Sequence, residues 1–302
     1  MAVSSLEERI LELKRERNAV ILSHNYQRGE VQDIADFVGD SLELSQQAAK
    51  TDAAVIVFCG VHFMAETAYI LNPGRTVLLP DADAGCPMAN MITAGQLRAQ
   101  KLKMPRAAVV TYINSSAAVK AESDYCCTSA NGVKVVAGID NDEIIFVPDQ
   151  YLGDFIAKRT GKTLTLWPGY CPTHVRILPE DILARKKEHP GAKVVVHPEC
   201  RPDVVALADE ALSTSGMIRY ASREDVRELI VGTELEILHR LHKENPGKQF
   251  YAASKKAVCP NMKKITLDKI LASLESMTPV IKVPEAIRVR AKAAVDRMLA
   301  VV

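Results

Sequence analysis

The chain has 302 residues, 48% of them hydrophobic, which is enough to bury a sizeable core and suggests two or three domains. Its 38 basic and 37 acidic residues leave a net charge of +1, so it carries no electrostatic footprint for nucleic acid. Fifteen glycines and fifteen prolines are ordinary numbers and exclude a fibrous or disordered class.

The first stretch, MAVSSLEERILELKRERN, is charged and reads as an amphipathic helix over 5–17. It has no apolar core of the secretory kind, so no export signal is expected. The apolar runs that follow are strand-length and too short to cross a membrane. A cytoplasmic protein without a membrane or nucleic-acid partner is the expectation. Strand-like β-branched runs follow at 19–23, 53–58, 76–79, 107–112, 143–147, 163–166, 193–197, 228–231 and 249–252. Helical patterns lie between them, for example at 62–71, 150–159 and 235–243. Such alternation predicts an α/β fold of parallel sheets with helices on both faces. The nine strands fall into three groups of three, and helical patterns at 266–275 and 284–301 close the chain.

The grouping rests on internal repetition. Three strands end in polar clusters: SHNY at 23–26, TYIN at 111–114 and VHPE at 196–199. Taking His24, Tyr112 and His197 as markers, the separations are 88 and 85 residues. Two residues beyond the markers stand Tyr26, Asn114 and Glu199. Seventeen beyond them stand Ser41, Ser129 and Thr214, each a hydroxyl. Each unit closes with Cys-Pro, at Cys86, Cys171 and Cys259, lying 62, 59 and 62 residues after its marker. This predicts three pseudo-threefold-related α/β units, three-layer sandwiches with short parallel sheets, around a central cavity. Their expected bounds are 18–103, 104–190 and 191–265. The helix at 5–17 and the helices within 266–301 are expected to pack on the first unit.

In a strand, residues i and i+2 point to the same side, so each marker and its +2 partner project together from a carboxyl end. Open parallel sheets place their ligands there. The hydroxyls at +17 fall where helices are expected to start, and a helix N-terminus suits a carboxylate or phosphate. The three units then bring three cysteines to one end of the cavity.

Seven cysteines without a secretory signal are expected to stay reduced. Thiolate is the soft ligand that suits iron–sulfur clusters and zinc. A 4Fe-4S cluster on three cysteines keeps one open iron, which can act as a Lewis acid. Structural zinc wants a fourth ligand, and the repeat supplies three. Cys59 reads as a small buried hydrophobe. Cys126 and Cys127 are adjacent, and sequence neighbours rarely ligate one metal together. Cys200 follows Glu199 and has no partner in the repeat. A non-catalytic iron–sulfur sensor or electron carrier is an alternative, but it predicts no polar residues aimed at the cysteines.

The stretches SHNYQRGEVQDIADFVGDS, DAGCPMA, VTYINSSAAVKAESDYCCTSAN, WPGYCPTH, VVVHPEC, STSGM and CPNM resemble the quinolinate synthase family. The resemblance runs from about Asn18 to Met262. Diphthamide-type radical enzymes also gather three cysteines from three domains, but are not expected to carry the HNY, TYIN and HPEC set. The resemblance implies condensation of iminosuccinate (iminoaspartate) with dihydroxyacetone phosphate to quinolinate, phosphate and two waters, in NAD biosynthesis. It implies a 4Fe-4S cluster on Cys86, Cys171 and Cys259, and functional coupling to an aspartate-oxidising enzyme. It maps iminosuccinate contacts to His24, Ser41, Tyr112, Ile113, Asn114, Ser129, His197, Pro198, Glu199 and Thr214. Tyr26 and His174 match further active-site positions. The expected roles are anion binding for Ser41, Ser129 and Thr214, and charge balance for His24. His197 and Glu199 move protons, with Glu199 as general base. Tyr112 and Asn114 orient the substrate. Tyr26 donates a proton or closes the cavity.

Overall fold

The structure is a computed structural model and describes residues 5–301. Among the described residues, twelve strands form three sheets of four, all parallel. The first holds β1 (Ala19–His24), β2 (Phe37–Gly39), β3 (Val55–Cys59) and β4 (Thr76–Leu78). The second holds β5 (Ala108–Tyr112), β6 (Tyr125–Cys127), β7 (Ile144–Val147) and β8 (Leu164–Leu166). The third holds β9 (Lys193–Val196), β10 (Glu210–Ala211), β11 (Glu228–Gly232) and β12 (Gln249–Ala252). The strand orders are β2-β1-β3-β4, β6-β5-β7-β8 and β10-β9-β11-β12, one topology used three times.

The nine expected strands are present, and each sheet adds a fourth. The additions, β2, β6 and β10, are edge strands of two or three residues. That is too short to show a period of two in sequence. Register makes the repetition quantitative. Ser23 pairs with Cys59, Thr111 with Val147 and Val196 with Gly232, an offset of 36 residues each time. Leu22 pairs with Phe37, Val110 with Tyr125 and Val195 with Glu210, an offset of 15 each time.

An aspartate locks each short edge in place. Asp36, Asp124 and Asp209 accept the backbone N–H of Ile21, Val109 and Val194, each at 2.8 Å. Their own N–H groups donate back to the carbonyls of the same three residues. Each aspartate stands twelve residues after its marker, a further repeated feature.

Central strands are buried on both faces and read as unbroken apolar runs, as in Val55–Cys59. One continuous core joins all three units through Ile21 and Phe58, Val110 and Phe146, and Val195 and Leu229. Full burial of a side chain such as Phe58 contributes on the order of 1.5–3 kcal/mol. The helix Leu6–Glu16 packs on β1 and on the helix Leu267–Ser276. The last helix, Glu285–Leu299, differs from the expectation that it covers the first unit. It lies across two units, against His62–Leu71 of the first and against Ala117–Lys120 and β6 of the second. No helix among the described residues is long and apolar enough to cross a membrane.

In each sheet the chain leaves the first strand toward one edge and returns on its other side. The reversal places a crevice at the carboxyl ends of β1 and β3, of β5 and β7, and of β9 and β11. Those three crevices carry the polar residues described next.

Candidate functional site

A cavity of about 210 Å³ is lined by residues of all three units. His24, Tyr26 and Ser41 come from the first, and Tyr112, Asn114, Ser129 and His174 from the second. His197, Glu199 and Thr214 come from the third. Cys86, Cys171 and Cys259 line the same cavity, each half-buried. Ile113 and Pro198 are not among the lining residues. Ile113 is buried in the core and its N–H donates to Cys127. Both stand just past a strand end, between two residues that do line the cavity.

The three Cys-Pro turns share one local design. Backbone N–H groups two and three residues on aim at each sulfur: Met88 and Ala89 at Cys86, Thr173 and His174 at Cys171, Asn261 and Met262 at Cys259. Proline after each cysteine has no N–H and fixes the turn. A 3-10 turn follows in the first two units, Met88–Asn90 and His174–Arg176. Burial pushes the Cys86 thiol up to about 12, and those of Cys171 and Cys259 also rise. A soft metal binding here displaces those protons. The donor set fits an iron–sulfur cluster: three thiols on one cavity, each cradled by N–H groups of the kind that tune cluster sulfurs.

The other cysteines lie elsewhere. Cys59, Cys126 and Cys127 are buried in the core at strand ends. Cys200 sits in a separate core cluster, and its Sγ donates to the Gly232 carbonyl at 3.5 Å.

Glu199 is the hub of the polar wall. Its carboxylate oxygen Oε2 lies 2.7 Å from His174 Nδ1, and Oε1 accepts from Asn114 Nδ2 at 3.4 Å. The Tyr112 hydroxyl also donates to it. Burial alone would raise its pKa, but the His174 imidazole and its N–H, with the Tyr112 hydroxyl, hold it below the usual carboxylate range. His174 Nε2 lies 2.8 Å from Thr233 Oγ1, which lies 2.5 Å from the Tyr26 hydroxyl. With Nδ1–H donating to Glu199, Nε2 accepts from Thr233, and Thr233 accepts from Tyr26. Burial raises both tyrosines far above their ordinary pKa, so the hydroxyls keep their protons.

Cys171, His174 and Glu199 also present ligand atoms within 4.8 Å of one another. His174 Nδ1 lies 3.1 Å from Cys171 Sγ as well as against Glu199. Its proton is committed to that carboxylate, so the trio reads better as a hydrogen-bonded pair beside a thiol.

His24 and His197 share a geometry. The N–H of Tyr26 donates to His24 Nδ1 at 3.1 Å, and the N–H of Glu199 donates to His197 Nδ1 at 3.3 Å. With Nδ1 accepting, the proton sits on Nε2. In His197 that nitrogen lies 3.1 Å from Ser129 Oγ. Burial pulls both imidazoles down to about 3, so they are neutral donors at physiological pH.

Ser41 and Thr214 are the first residues of helices Ser41–Lys50 and Thr214–Ala221, as expected. Ser129 is not: it lies in the turn before the helix Gly132–Ala137. The sequence reading also passed over Asn25, Thr233, Glu234 and Lys263. Thr233 directly follows β11, opposite His197 across the crevice, a place the strand order would have flagged. Glu234 accepts the N–H of Cys259 at 3.1 Å and pairs with Lys263 at 2.9 Å. Lys263 reaches the Tyr26 carbonyl at 2.5 Å, tying the last cysteine turn to the first marker cluster.

The family described as Quinolinate synthetase A protein matches residues 8–300. A quinolinate synthase of Dehalococcoides mccartyi is 62% identical over 301 residues, covering 100% of both chains. Quinolinate synthase 1 of Methanosarcina acetivorans is 59% identical over 301 residues, covering 100% of this chain and 99% of its own. The chain therefore belongs to the quinolinate synthase family.

Proposed function

We propose that this cavity condenses iminosuccinate with dihydroxyacetone phosphate, giving quinolinate, phosphate and two waters, with a 4Fe-4S cluster on Cys86, Cys171 and Cys259. Family membership makes the chain an enzyme of NAD biosynthesis. The observation that carries the finer reading is the meeting of three cradled thiols and a triplicated polar wall on one cavity. When bound, such a cluster supplies an open iron as Lewis acid toward a substrate hydroxyl.

The protein's own groups divide the remaining work. The Nε2–H groups of His24 and His197, with the hydroxyls of Ser41, Ser129 and Thr214, donate to substrate carboxylate or phosphate oxygens. Tyr112 and Asn114 fix Glu199 and orient the substrate beside it. Glu199, ionised and solvent-free, accepts the proton lost from carbon during dehydration, and His174 Nδ1–H steadies it. Tyr26 closes the cavity wall, its hydroxyl donating through Thr233 to His174 Nε2, which keeps the His174 Nδ1–H on Glu199. The three units, 18–103, 104–190 and 191–265, each supply one marker cluster and one cysteine. Seven unpaired cysteines fit a reducing cytoplasm, and an aspartate-oxidising enzyme would supply the imine.

The test is direct. Protein purified without oxygen is incubated with iminosuccinate and dihydroxyacetone phosphate, and quinolinate and iron are measured. Quinolinate formed by iron-free protein would overturn the cluster's part, and none formed by iron-loaded protein would overturn the substrates.

A further inference from the structure

Asn25 is the middle residue of the first marker cluster and is fully buried. Its counterparts in the other clusters, Ile113 and Pro198, carry no polar side chain. It does not line the cavity, yet its amide spans two units. Nδ2 donates to Thr214 Oγ1 at 2.8 Å, and Oδ1 accepts from Arg240 Nη1 at 2.9 Å. Arg240 is itself held by the Val38 carbonyl at 2.8 Å and by Glu244 at 2.6 Å. The Asn25 backbone is fixed too, since its N–H donates to the Gly39 carbonyl.

The polarity of this chain is forced. A guanidinium has donors only, so it must face the amide oxygen of Asn25. The amide NH₂ therefore faces Thr214, whose oxygen must accept. The Thr214 proton is then left over, on a residue that lines the cavity. We propose that Asn25, oriented by Arg240, is a positioning residue that commits the Thr214 hydroxyl to donate to an anionic group of the bound substrate. The inference rests on the proposed reading of the cavity as a site for carboxylate substrates.

The discriminating variant is Asn25→Asp, which keeps size and shape. Aspartate satisfies Arg240 at least as well, so the bridge between the units stays. It cannot donate, so the Thr214 proton turns toward residue 25 and lone pairs face the ligand. Dissociation constants for quinolinate are measured on the cluster-loaded enzyme, with thermal midpoint and iron content alongside. We expect affinity to fall about 10- to 100-fold, the worth of a hydrogen bond to a charged group, with iron content unchanged. KM for iminosuccinate should rise more than kcat falls. In a Thr214→Val background the same substitution should cost less than about threefold, because the hydroxyl it acts through is gone.

Arg240→Met is the second variant. It frees the amide to turn, and affinity should fall by about threefold or more. Folded Asn25→Asp protein that binds quinolinate as wild type does would overturn the inference, as would an unchanged Arg240→Met. Loss of iron from folded Asn25→Asp would make Asn25 structural and also overturn it. Wild-type holoenzyme that neither binds quinolinate nor turns over would instead sink the reading of the cavity, and this inference with it.

Discussion

His174 Nδ1 lies 2.7 Å from a carboxylate oxygen of Glu199, with both side chains buried. The two come from different units, His174 from the turn after Cys171 and Glu199 from the end of β9. The contact is thus built only when the second and third units meet. It links the cysteine turn on one side to Thr233 and Tyr26 on the other.

Thr233→Val tests that link. Valine matches the shape of threonine and removes the hydroxyl that bridges Tyr26 and His174, leaving their direct contact at 3.5 Å. Turnover should fall by about tenfold or more, the cost of leaving buried partners unsatisfied. Iron content and KM for either substrate should stay near wild type. Unchanged turnover would show that His174 and Glu199 work without the Thr233 bridge.

Serine at Cys86, Cys171 or Cys259 should strip the iron and abolish quinolinate formation, because each supplies one of the three sulfurs of the proposed cluster site. Serine at Cys59, Cys126, Cys127 or Cys200 should retain about four irons and four sulfides per chain. Anaerobic iron and sulfide analysis reads both sets. Iron lost from Cys126→Ser but kept in Cys171→Ser would reverse the ligand choice.

Much of this was legible because three units repeat the same solution. His24, Tyr112 and His197 are each followed at fixed distances by a hydroxyl and a Cys-Pro turn, and the cavity gathers nearly all of them. Asp36, Asp124 and Asp209 were equally regular, but their work is on backbone N–H groups of a strand, invisible until β2, β6 and β10 exist. Those strands are too short for a hydrophobic period. Thr233 and Asn25 escaped for a different reason. Their partners lie 207 and 189 residues away, so only packed units reveal them.

Acid should destabilise the cluster-free protein. His24 and His197 are held neutral down to about 3, whereas in the unfolded chain they protonate near 6.5. Below that value the unfolded state binds protons that the folded state refuses, so stability is complete above about pH 6.5 and lost as pH falls toward 3. Each histidine should cost about 2 kcal/mol between pH 7 and pH 5. Urea unfolding at the two values measures it, and His24→Asn should remove about half of the two-histidine contribution. A His24→Asn protein with the wild-type pH dependence would mean His24 is charged in the fold.

The sharpest test of the chemistry is Glu199→Gln. Among the +2 positions, Glu199 is the carboxylate, where the other units place Tyr26 and Asn114. Its surroundings hold it ionised despite full burial, which costs a fold energy unless the charge is used or well paired. In the proposed reaction the dehydration needs a base near the hydroxyl-bearing carbon, and an ionised carboxylate on the cavity wall is placed to be that base. Glutamine keeps the size but cannot take a proton, and the NH₂ that replaces one carboxylate oxygen requires the Asn114 amide to turn and accept from it. It also meets His174 Nδ1–H through an amide oxygen, so that hydrogen bond can persist. The variant should therefore fold, hold its iron and bind quinolinate within about threefold of wild type, since the donors to the ligand remain. Its turnover should drop by roughly 10²-fold or more, the usual contribution of a positioned acid–base group. Substrate bound without turnover should perturb the cluster's absorption spectrum, a readout separate from rate. Near-normal turnover would pass the proton to His197 or Tyr26. Loss of iron would instead make Glu199 a support for the Cys171 turn, reached through His174, and leave the base unassigned.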